Sequence, residues 1–224
     1  MSDLHILFED NHLIAVNKRP GVLVQGDVTG DTPLSDLVKD YIKKKYNKPG
    51  AVFLGVVHRL DRPVSGVVVF ARTSKSLERM NELFRNRETE KIYNAIVLGK
   101  PAHPRGTLVH WLVKDESRNK TTAFKKENPN GLRSELSYEL IRYVDGRSLL
   151  EVRPVTGRPH QIRVQLASMN TPIVGDVKYG APAPNEDASI CLHASRLRFV
   201  HPVRKEEITI DAAFPRNHLW DLFA

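Results

Sequence analysis

The spacing of apolar residues predicts strands and helices in alternation along the chain. Two short strands, ILFED and LIAVN, are predicted near the start, and Pro20-Gly21 then predicts a turn. Further strands are predicted over residues 51–58, 66–71 and 91–100, near 107–113, 120–126 and 134–143, and over 148–155, 192–200 and 206–214. The dipeptide Asp145-Gly146 predicts a tight antiparallel hairpin.

Amphipathic segments predict helices between these strands. In TPLSDLVKDYIKKKY, Thr32 is the predicted N-cap, Pro33 suits the first helical position, and apolar residues recur on one face. A second helix is predicted over residues 74–89, a third through PHQIRVQLASM up to Asn170, and a short one at HLWDLF. Interspersed elements joined by short loops favour antiparallel pairing. We therefore expect one α+β domain over residues 1–224, in which a cleft could separate two lobes.

The charge balance adds a candidate partner. The chain has 34 Lys and Arg residues against 26 acidic ones, a formal net charge of +8. Basic clusters occupy residues 43–48, 85–91, 118–126 and 201–207. A positive field of this kind is typical of nucleic-acid binding, although a solvated basic surface gives the same balance. The lysines at 43–45 also suit a helix C-terminus, so they have an explanation without RNA.

Other features of composition point to the cytoplasm. The single cysteine, Cys191, fits a reducing compartment because it forms no internal disulfide. The polar and acidic start, MSDLHILFEDNH, is unlike a secretory signal, and no apolar run is long enough to cross a bilayer. We expect a cytoplasmic protein without a membrane partner.

The stretch HRLDRPVSGVVVFART, residues 58–73, holds the main candidate for catalysis. Asp61 has His58, Arg59 and Arg62 within three positions, and an apolar run follows from Val67. Nearby cations favour the ionised carboxylate, so Asp61 suits a nucleophile or charge stabiliser better than a proton donor. A glycosidase would need a second carboxylate, and none is tied to Asp61 by local spacing. The histidines form no HxH or HExxH arrangement, so we expect no metal.

A second polar cluster lies within residues 156–180. Arg158, His160, Gln161 and Arg163 crowd the start of the third predicted helix. Arg163 is of the right type to hold a buried carboxylate through a bidentate contact. Surface phosphate contacts and ion pairs that stabilise the fold are the alternatives for each arginine.

Four blocks of the chain together resemble the RluA-type RNA pseudouridine synthases. HRLDRPVSGVVVFART looks like the motif of that family that carries the catalytic aspartate, and KIYNAIVLGK resembles its second motif. GRPHQIRVQ through PIVGDVKYG resembles the third, and LHASRLRFVHP resembles its C-terminal strand. The match spans about residues 8–215, with the blocks in the family's order. It implies the pseudouridine synthase catalytic fold, a mixed and mostly antiparallel sheet with flanking helices and a central basic cleft.

The resemblance also implies roles for individual residues. Asp61 would be the catalytic aspartate, Arg59 would help displace the target base, and Tyr93 would stack on the flipped uracil. Arg163 would hold the Asp61 carboxylate, and Leu192 would pack against the base. Periodicity alone favours a core aromatic residue on a strand for Tyr93, and the resemblance reverses that preference. His58, Arg62, Arg158, His160 and Gln161 are expected to contact RNA.

The implied reaction converts uridine in an rRNA or tRNA stem-loop to pseudouridine and needs no cofactor. Asp61 would attack C1′ or assist its deprotonation. The base must leave its stack first, which suits an arginine beside the aspartate. The alternative from another class is a non-catalytic RNA-binding protein or RNA chaperone on the same scaffold.

The chain departs from the family pattern at three positions. Val64 replaces the usual Thr before Ser-Gly, Gln165 stands where His is frequent, and Asn170 replaces a common Gly. None of these changes removes a proposed catalytic group. Because the first motifs begin close to the start, we also expect no S4-type RNA-binding domain. No coiled-coil heptads are present, and we expect a monomer.

Overall fold

The computed structural model describes residues 4–223 and divides them into two compact units. The first unit contains the chain up to residue 90 together with residues 194–213, and the second contains residues 91–193 and the chain from residue 214. The elements in chain order are β1 (His5–Glu9), β2 (Leu13–Lys18), α1 (Leu34–Lys45), β3 (Gly55–Val56), β4 (Ser65–Ala71), α2 (Ser74–Asn86), β5 (Thr89–Leu98), β6 (Arg105–Asp115), β7 (Lys120–Phe124), β8 (Leu132–Val144), β9 (Arg147–Pro154), α3 (Gln161–Ala167), a 3-10 helix (Val177–Tyr179), β10 (Leu192–Val200), β11 (Glu207–Asp211) and α4 (His218–Asp221).

The first unit is a sheet in the order β1-β2-β4-β10, with β3 added to β4 and β11 added to β10. The β1–β2, β2–β4, β3–β4 and β10–β11 pairs are antiparallel. All seven residues of β4, SGVVVFA, are buried, as the continuous apolar run predicts for a central strand. Val67 and Val69 of β4 pack in one cluster with Met80 of α2, and this cluster also contains Leu13 and Phe199. The sequence before β4, which carries Asp61, is therefore anchored to the core.

Gly66 shows how closely β4 approaches β10. Its φ is +117°, and a Cβ at this position would lie 2.3 Å from the backbone oxygen of Ala194. No other residue fits this combination of backbone angle and contact distance. The glycine of the Ser-Gly pair in the first motif thus has a packing reason.

The second unit is an antiparallel sheet in the order β5-β9-β8-β6-β7. The predicted hairpin joins β8 to β9, with Asp145 and Gly146 at φ values of 47° and 73°. Positive φ at both central residues is the type I′ geometry that suits the twist of paired strands. Helix α3 packs on this unit through Val164, which clusters with Leu112 and Tyr179.

The structure confirms the predicted α+β class with a mostly antiparallel sheet, and it corrects three helix boundaries. Pro33, rather than Thr32, is the N-cap of α1. Helix α2 ends at Asn86 instead of residue 89 because Arg87 adopts the left-handed conformation and β5 begins at once. Helix α3 is shorter than predicted, since His160 is left-handed at its start. Asn170 is left-handed after α3, as predicted.

No helix within residues 4–223 is long and apolar enough to cross a membrane.

Candidate active site

Asp61 lies on a tight turn between β3 and β4. The Val64 N–H donates to the Asp61 carbonyl at 3.0 Å, which closes the turn over residues 61–64. Leu60 before the turn and Val64 at its end are both buried, whereas Asp61 is half-buried. The turn is thus held at both ends by the core, while the aspartate keeps access to solvent.

Lys18, at the end of β2, supports this turn through hydrogen bonds of its side chain. It is 1% exposed, and its ammonium donates to three main-chain carbonyls, those of Arg19 at 3.1 Å, Val22 at 2.8 Å and Arg62 at 3.1 Å. A lysine is rarely buried so completely, and here all three of its donors are used. The ammonium therefore joins the KRPG turn to the Asp61 turn.

A second contact holds the same two turns together. The Gly21 N–H donates to the Arg62 carbonyl at 2.8 Å, and Arg62 Nε donates back to the Gly21 carbonyl at 3.0 Å.

Burial lowers the pKa of Lys18 to about 7, although the charge of Asp61 acts in the opposite direction. Lys18 is absent from the residues predicted by sequence, and only its place at the end of an apolar strand could have indicated it.

The pKa of Lys18 predicts how stability depends on pH. Between pH 7 and the ordinary lysine value of 10.5, the unfolded chain binds a proton at Lys18 that the folded protein has released. Stability from this group therefore rises with pH in that window and is flat below it. Relative to Lys18→Met, the wild-type free energy of unfolding should rise by at most about 1.4 kcal/mol per pH unit. Urea unfolding of both proteins, followed by circular dichroism from pH 6 to pH 10, measures this difference. A flat difference up to pH 10 would mean that the three carbonyls keep Lys18 charged.

The three basic neighbours of Asp61 have different surroundings. His58 Nε2 accepts from the Val69 N–H at 3.1 Å, and its ring stacks on Phe84 with centroids 5.0 Å apart. Arg62 pairs with Asp31 at 2.7 Å on the surface. Arg59 is exposed, and its guanidinium has no hydrogen bond or ion pair within residues 4–223. Of the three, Arg59 is the most accessible to RNA, whereas His58 uses its ring to hold the turn.

Arg163 forms a buried ion pair in the second unit. Its Nε and Nη2 donate to the two carboxylate oxygens of Asp176 at 2.7 and 2.8 Å, and the side chains are only 7% and 1% exposed. The guanidinium also lies over the Tyr179 ring, 5.1 Å from its centroid. The bidentate contact fixes the plane of the guanidinium. Asp176, within the GDVKYG segment, is not among the residues predicted from sequence.

Tyr179 links this ion pair to the start of α3. Its hydroxyl accepts from the Thr121 N–H at 2.8 Å and lies 2.7 Å from His160 Nδ1. Burial raises the pKa of Tyr179, so the hydroxyl stays protonated and can donate to His160. These contacts position the His160 ring at the start of α3.

Gln161 and Arg158 shape the loop in front of α3. The Gln161 Oε1 accepts from Thr156 Oγ1 at 2.7 Å and from the Arg158 N–H at 3.0 Å, and its Nε2 donates to the Glu135 carbonyl at 3.0 Å. These bonds occupy the buried amide, so Gln161 positions the loop. Arg158 is half-buried, and its Nε has no hydrogen-bond partner in the part of the chain that the structure describes.

Tyr93 and Leu192 occupy different environments. Tyr93 pairs with Val152 across β5 and β9 and is half-buried. Leu192, the first residue of β10, is only 3% exposed. A partly exposed ring suits stacking, whereas Leu192 belongs largely to the packed interior.

The three departures from the family pattern are all accommodated. Val64 is buried at the end of the Asp61 turn, and Asn170 supplies the left-handed residue after α3. Gln165 is buried and donates from Nε2 to the Leu108 carbonyl at 3.1 Å and towards His110 Nδ1 at 3.0 Å. None of these side chains is one of the proposed catalytic groups.

Other reactive groups are few among residues 4–223. No cluster of three or more His, Cys, Asp or Glu side chains there could hold a metal ion. Cys191 is buried, and burial raises the pKa of its thiol to about 11, so it is not an activated nucleophile. Asp61 remains the candidate on which the chemistry depends.

The structure thus gathers the predicted residues into two groups. The first unit carries His58, Arg59, Asp61 and Arg62, and Lys18 of the same unit donates to the Arg62 carbonyl. The residues on the second unit are Tyr93, Arg158, His160, Gln161, Arg163 and Leu192. The pairing of Arg163 with Asp61 stays a prediction. Within the second unit, the carboxylate that pairs with Arg163 is Asp176.

Comparison with known proteins supports this assignment of motifs. The model of the RNA pseudouridylate synthase family matches residues 12–168. Ribosomal large subunit pseudouridine synthase C of Vibrio vulnificus is 32% identical, with 92% of this chain and 64% of the relative aligned. The dual-specificity RNA pseudouridine synthase RluA of Haemophilus influenzae is 33% identical, over 93% of this chain and 92% of the relative.

A solved structure shares the fold as well. Human RNA pseudouridylate synthase domain containing 4 superimposes with a TM-score of 0.79 at 26% identity, over 95% of this chain and 89% of that one. The chain spans about two thirds of the length of the large-subunit synthases that it matches, and nearly the whole of the Haemophilus relative. From the matched motifs, the extent of the family model and the shared fold, the chain belongs to the RluA-type RNA pseudouridylate synthase family.

Proposed function

We propose that the protein is an RNA pseudouridine synthase that isomerises one or a few uridines in a structured rRNA or tRNA stem-loop. The observation that carries this proposal is the Asp61 turn of the family motif, buttressed by Lys18 and anchored on β4. The basic balance of the chain supports an RNA substrate. Relatives named for the ribosomal large subunit and for tRNA support these two RNA classes.

The reaction rearranges bonds within one nucleotide. The N1–C1′ bond breaks, the uracil turns, and a C5–C1′ bond forms; C5 loses a proton and N1 gains one, so product and substrate are isomers. The uracil leaves as a delocalised anion, which removes the need for a strong acid at N1. Asp61 acts at C1′ as the ionised carboxylate. The isomerisation transfers no electrons and no phosphoryl group, so it requires no cofactor.

The remaining residues bring the base and the carboxylate into position. Arg59 enters the space left by the displaced base, in keeping with its exposed guanidinium. Tyr93 stacks on the flipped uracil, and Leu192 contributes a buried apolar wall behind it. Arg62, Arg158 and His160 contact the RNA around the target, while His58 and Gln161 hold the loops on which these contacts depend.

Arg163 holds the Asp61 carboxylate in this proposal. A guanidinium carries five N–H donors, and Asp176 engages two of them, so the same group can serve a second carboxylate. The bidentate contact with Asp176 supports the role because it orients the guanidinium before the substrate binds. Asp176 is thus a positioning residue for Arg163.

The proposal extends to the domain organisation, oligomeric state and location of the protein. We propose that residues 1–224 act as one catalytic domain, whose basic cleft receives the RNA. The protein works as a monomer in the cytoplasm. No metal takes part in the proposed chemistry.

Nucleoside analysis of treated RNA tests the proposal directly. Total tRNA and rRNA from cells lacking this protein are incubated with the purified protein, digested, and analysed by mass spectrometry. We expect pseudouridine to appear at one or a few sites, with no release of free uracil. RNA binding without any pseudouridine would contradict the proposal and support the non-catalytic RNA-binding alternative. Free uracil would instead indicate a glycosidase.

A further inference from the structure

The end of helix α1 carries a dense group of cations beside an exposed aromatic ring. The segment from residue 36 to residue 48 contains five lysines and only two acidic residues, Asp36 and Asp40. Asp36 pairs with Lys39 at 3.0 Å, and Asp40 is exposed. We call the group formed by Lys43, Lys44, Tyr46 and Lys48 the α1-end patch.

The helix C-terminus places the lysines of the patch close to one another. The Lys48 N–H donates to the Lys43 carbonyl at 3.0 Å, and the Asn47 N–H donates to the Lys44 carbonyl at 3.4 Å. Asn47 has a φ of 47°, so the helix ends in a Schellman motif. This motif folds the chain back, and Lys48 returns to the same end of the helix as Lys43 and Lys44.

Tyr46 is held rigidly although it is 45% exposed. Its hydroxyl donates to Glu9 Oε1 at 2.7 Å. The Arg72 guanidinium and the Lys45 ammonium lie 4.8 and 5.5 Å from the centroid of its ring. The Glu9 side chain is 9% exposed and also accepts from Lys45 at 2.7 Å and from Tyr41 at 3.0 Å. Burial alone would raise the pKa of Glu9, but these hydrogen bonds outweigh it and lower the pKa, so Glu9 stays ionised and keeps the ring in place.

The charges of the patch remain available at the surface. Lys45 and Arg72 both pair with Glu9 and compensate its charge. Lys43, Lys44 and Lys48 are exposed, and their ammonium groups have no hydrogen bond or ion pair to any residue from 4 to 223. Interaction with the helix dipole accounts for lysines in the last turn, but it does not explain Lys48, beyond the helix, or a fixed and exposed tyrosine.

We infer that the α1-end patch binds a single-stranded segment of the substrate RNA, with the three lysines on phosphates and a base stacked on Tyr46. Exposed aromatic rings beside a positive surface are how proteins bind unpaired nucleotides without reading their sequence. A ring held in place before binding loses little entropy when a base stacks on it. The inference rests on the proposed function for the identity of its ligand, and it adds an RNA contact outside the four family motifs.

A salt titration separates this inference from the helix-dipole explanation. Binding of the full-length protein to a fluorescent oligouridylate 12-mer is measured by anisotropy between 50 and 300 mM KCl. Lys43→Gln/Lys44→Gln/Lys48→Gln should weaken binding at 50 mM KCl by about tenfold or more. It should also reduce the slope of log K against log salt by about two, as expected for three lost phosphate contacts on a single strand. The matched control, Lys75→Gln/Lys100→Gln/Arg216→Gln, removes the same charge from three exposed basic residues outside the four basic clusters.

Two variants of Tyr46 test the stacking. Tyr46→Leu should weaken binding by about 5- to 150-fold, whereas Tyr46→Phe, which keeps the ring, should remain within about threefold of wild type. Thermal unfolding of each variant shows that the protein is folded. Patch and control triples with the same slope, or Leu and Phe variants with the same affinity, would overturn the inference. Pseudouridine formation by the wild type is measured in parallel, so a failure of the patch is distinguished from a failure of the proposed function.

Discussion

Asp61→Asn should reduce pseudouridine formation by at least about a thousandfold while RNA affinity stays within severalfold of wild type. The amide has nearly the shape of the carboxylate, so the turn closed by the Asp61 carbonyl and the Val64 N–H is retained. What it lacks is the negative charge that acts at C1′. Single-turnover assays with excess enzyme measure the chemical step, and anisotropy with the same RNA measures binding.

The charge lost in this variant needs a matched control. Asp36→Asn removes one carboxylate from an exposed pair with Lys39 on α1, and it should leave turnover near the wild-type value. Turnover of Asp61→Asn within tenfold of wild type would remove Asp61 from its proposed role. A joint loss of turnover and affinity would instead indicate that Asp61 serves RNA binding.

Local chemistry accounts for the features that the sequence predicts well. Asp145-Gly146 supplies the two positive φ values of a type I′ turn, so the hairpin can be predicted from two residues. The apolar run of β4 likewise predicts a buried central strand. One error lies at a helix end, where Arg87 is left-handed without the glycine that usually marks such a position. Another lies in the strand predicted over residues 51–58, of which only Gly55–Val56 forms a strand.

The parts of the site that the sequence does not predict depend on tertiary structure. Lys18 binds three main-chain carbonyls, and carbonyl positions leave no pattern in the residue types. Asp176 follows Gly175 and has the appearance of an ordinary turn residue; its role depends on Arg163, thirteen positions earlier. Arg163 illustrates how far the sequence can predict a contact. Its residue type predicts a buried carboxylate partner, but it does not identify which carboxylate that is.

Asp176→Ala should lower the free energy of unfolding of the protein by about 3–5 kcal/mol. The side chains of Asp176 and Arg163 are 1% and 7% exposed, so removing the carboxylate leaves a buried guanidinium without its bidentate partner. The cost is that of desolvating this charge, and it exceeds the net value of the ion pair itself. Urea unfolding followed by tryptophan fluorescence is the appropriate measurement, because both tryptophans of the chain, Trp111 and Trp220, lie in the second unit.

Two further variants separate burial from simple loss of an ion pair. Asp211→Ala breaks the exposed pair with Arg196 and should cost at most about 1 kcal/mol. Arg163→Met/Asp176→Leu removes both members of this buried pair and should cost less than the sum of the single changes, because neither member is left buried without the other. If Asp176→Ala cost no more than Asp211→Ala, the buried pair would not constrain Arg163. The proposed orientation of Arg163 towards Asp61 would then lose its physical basis.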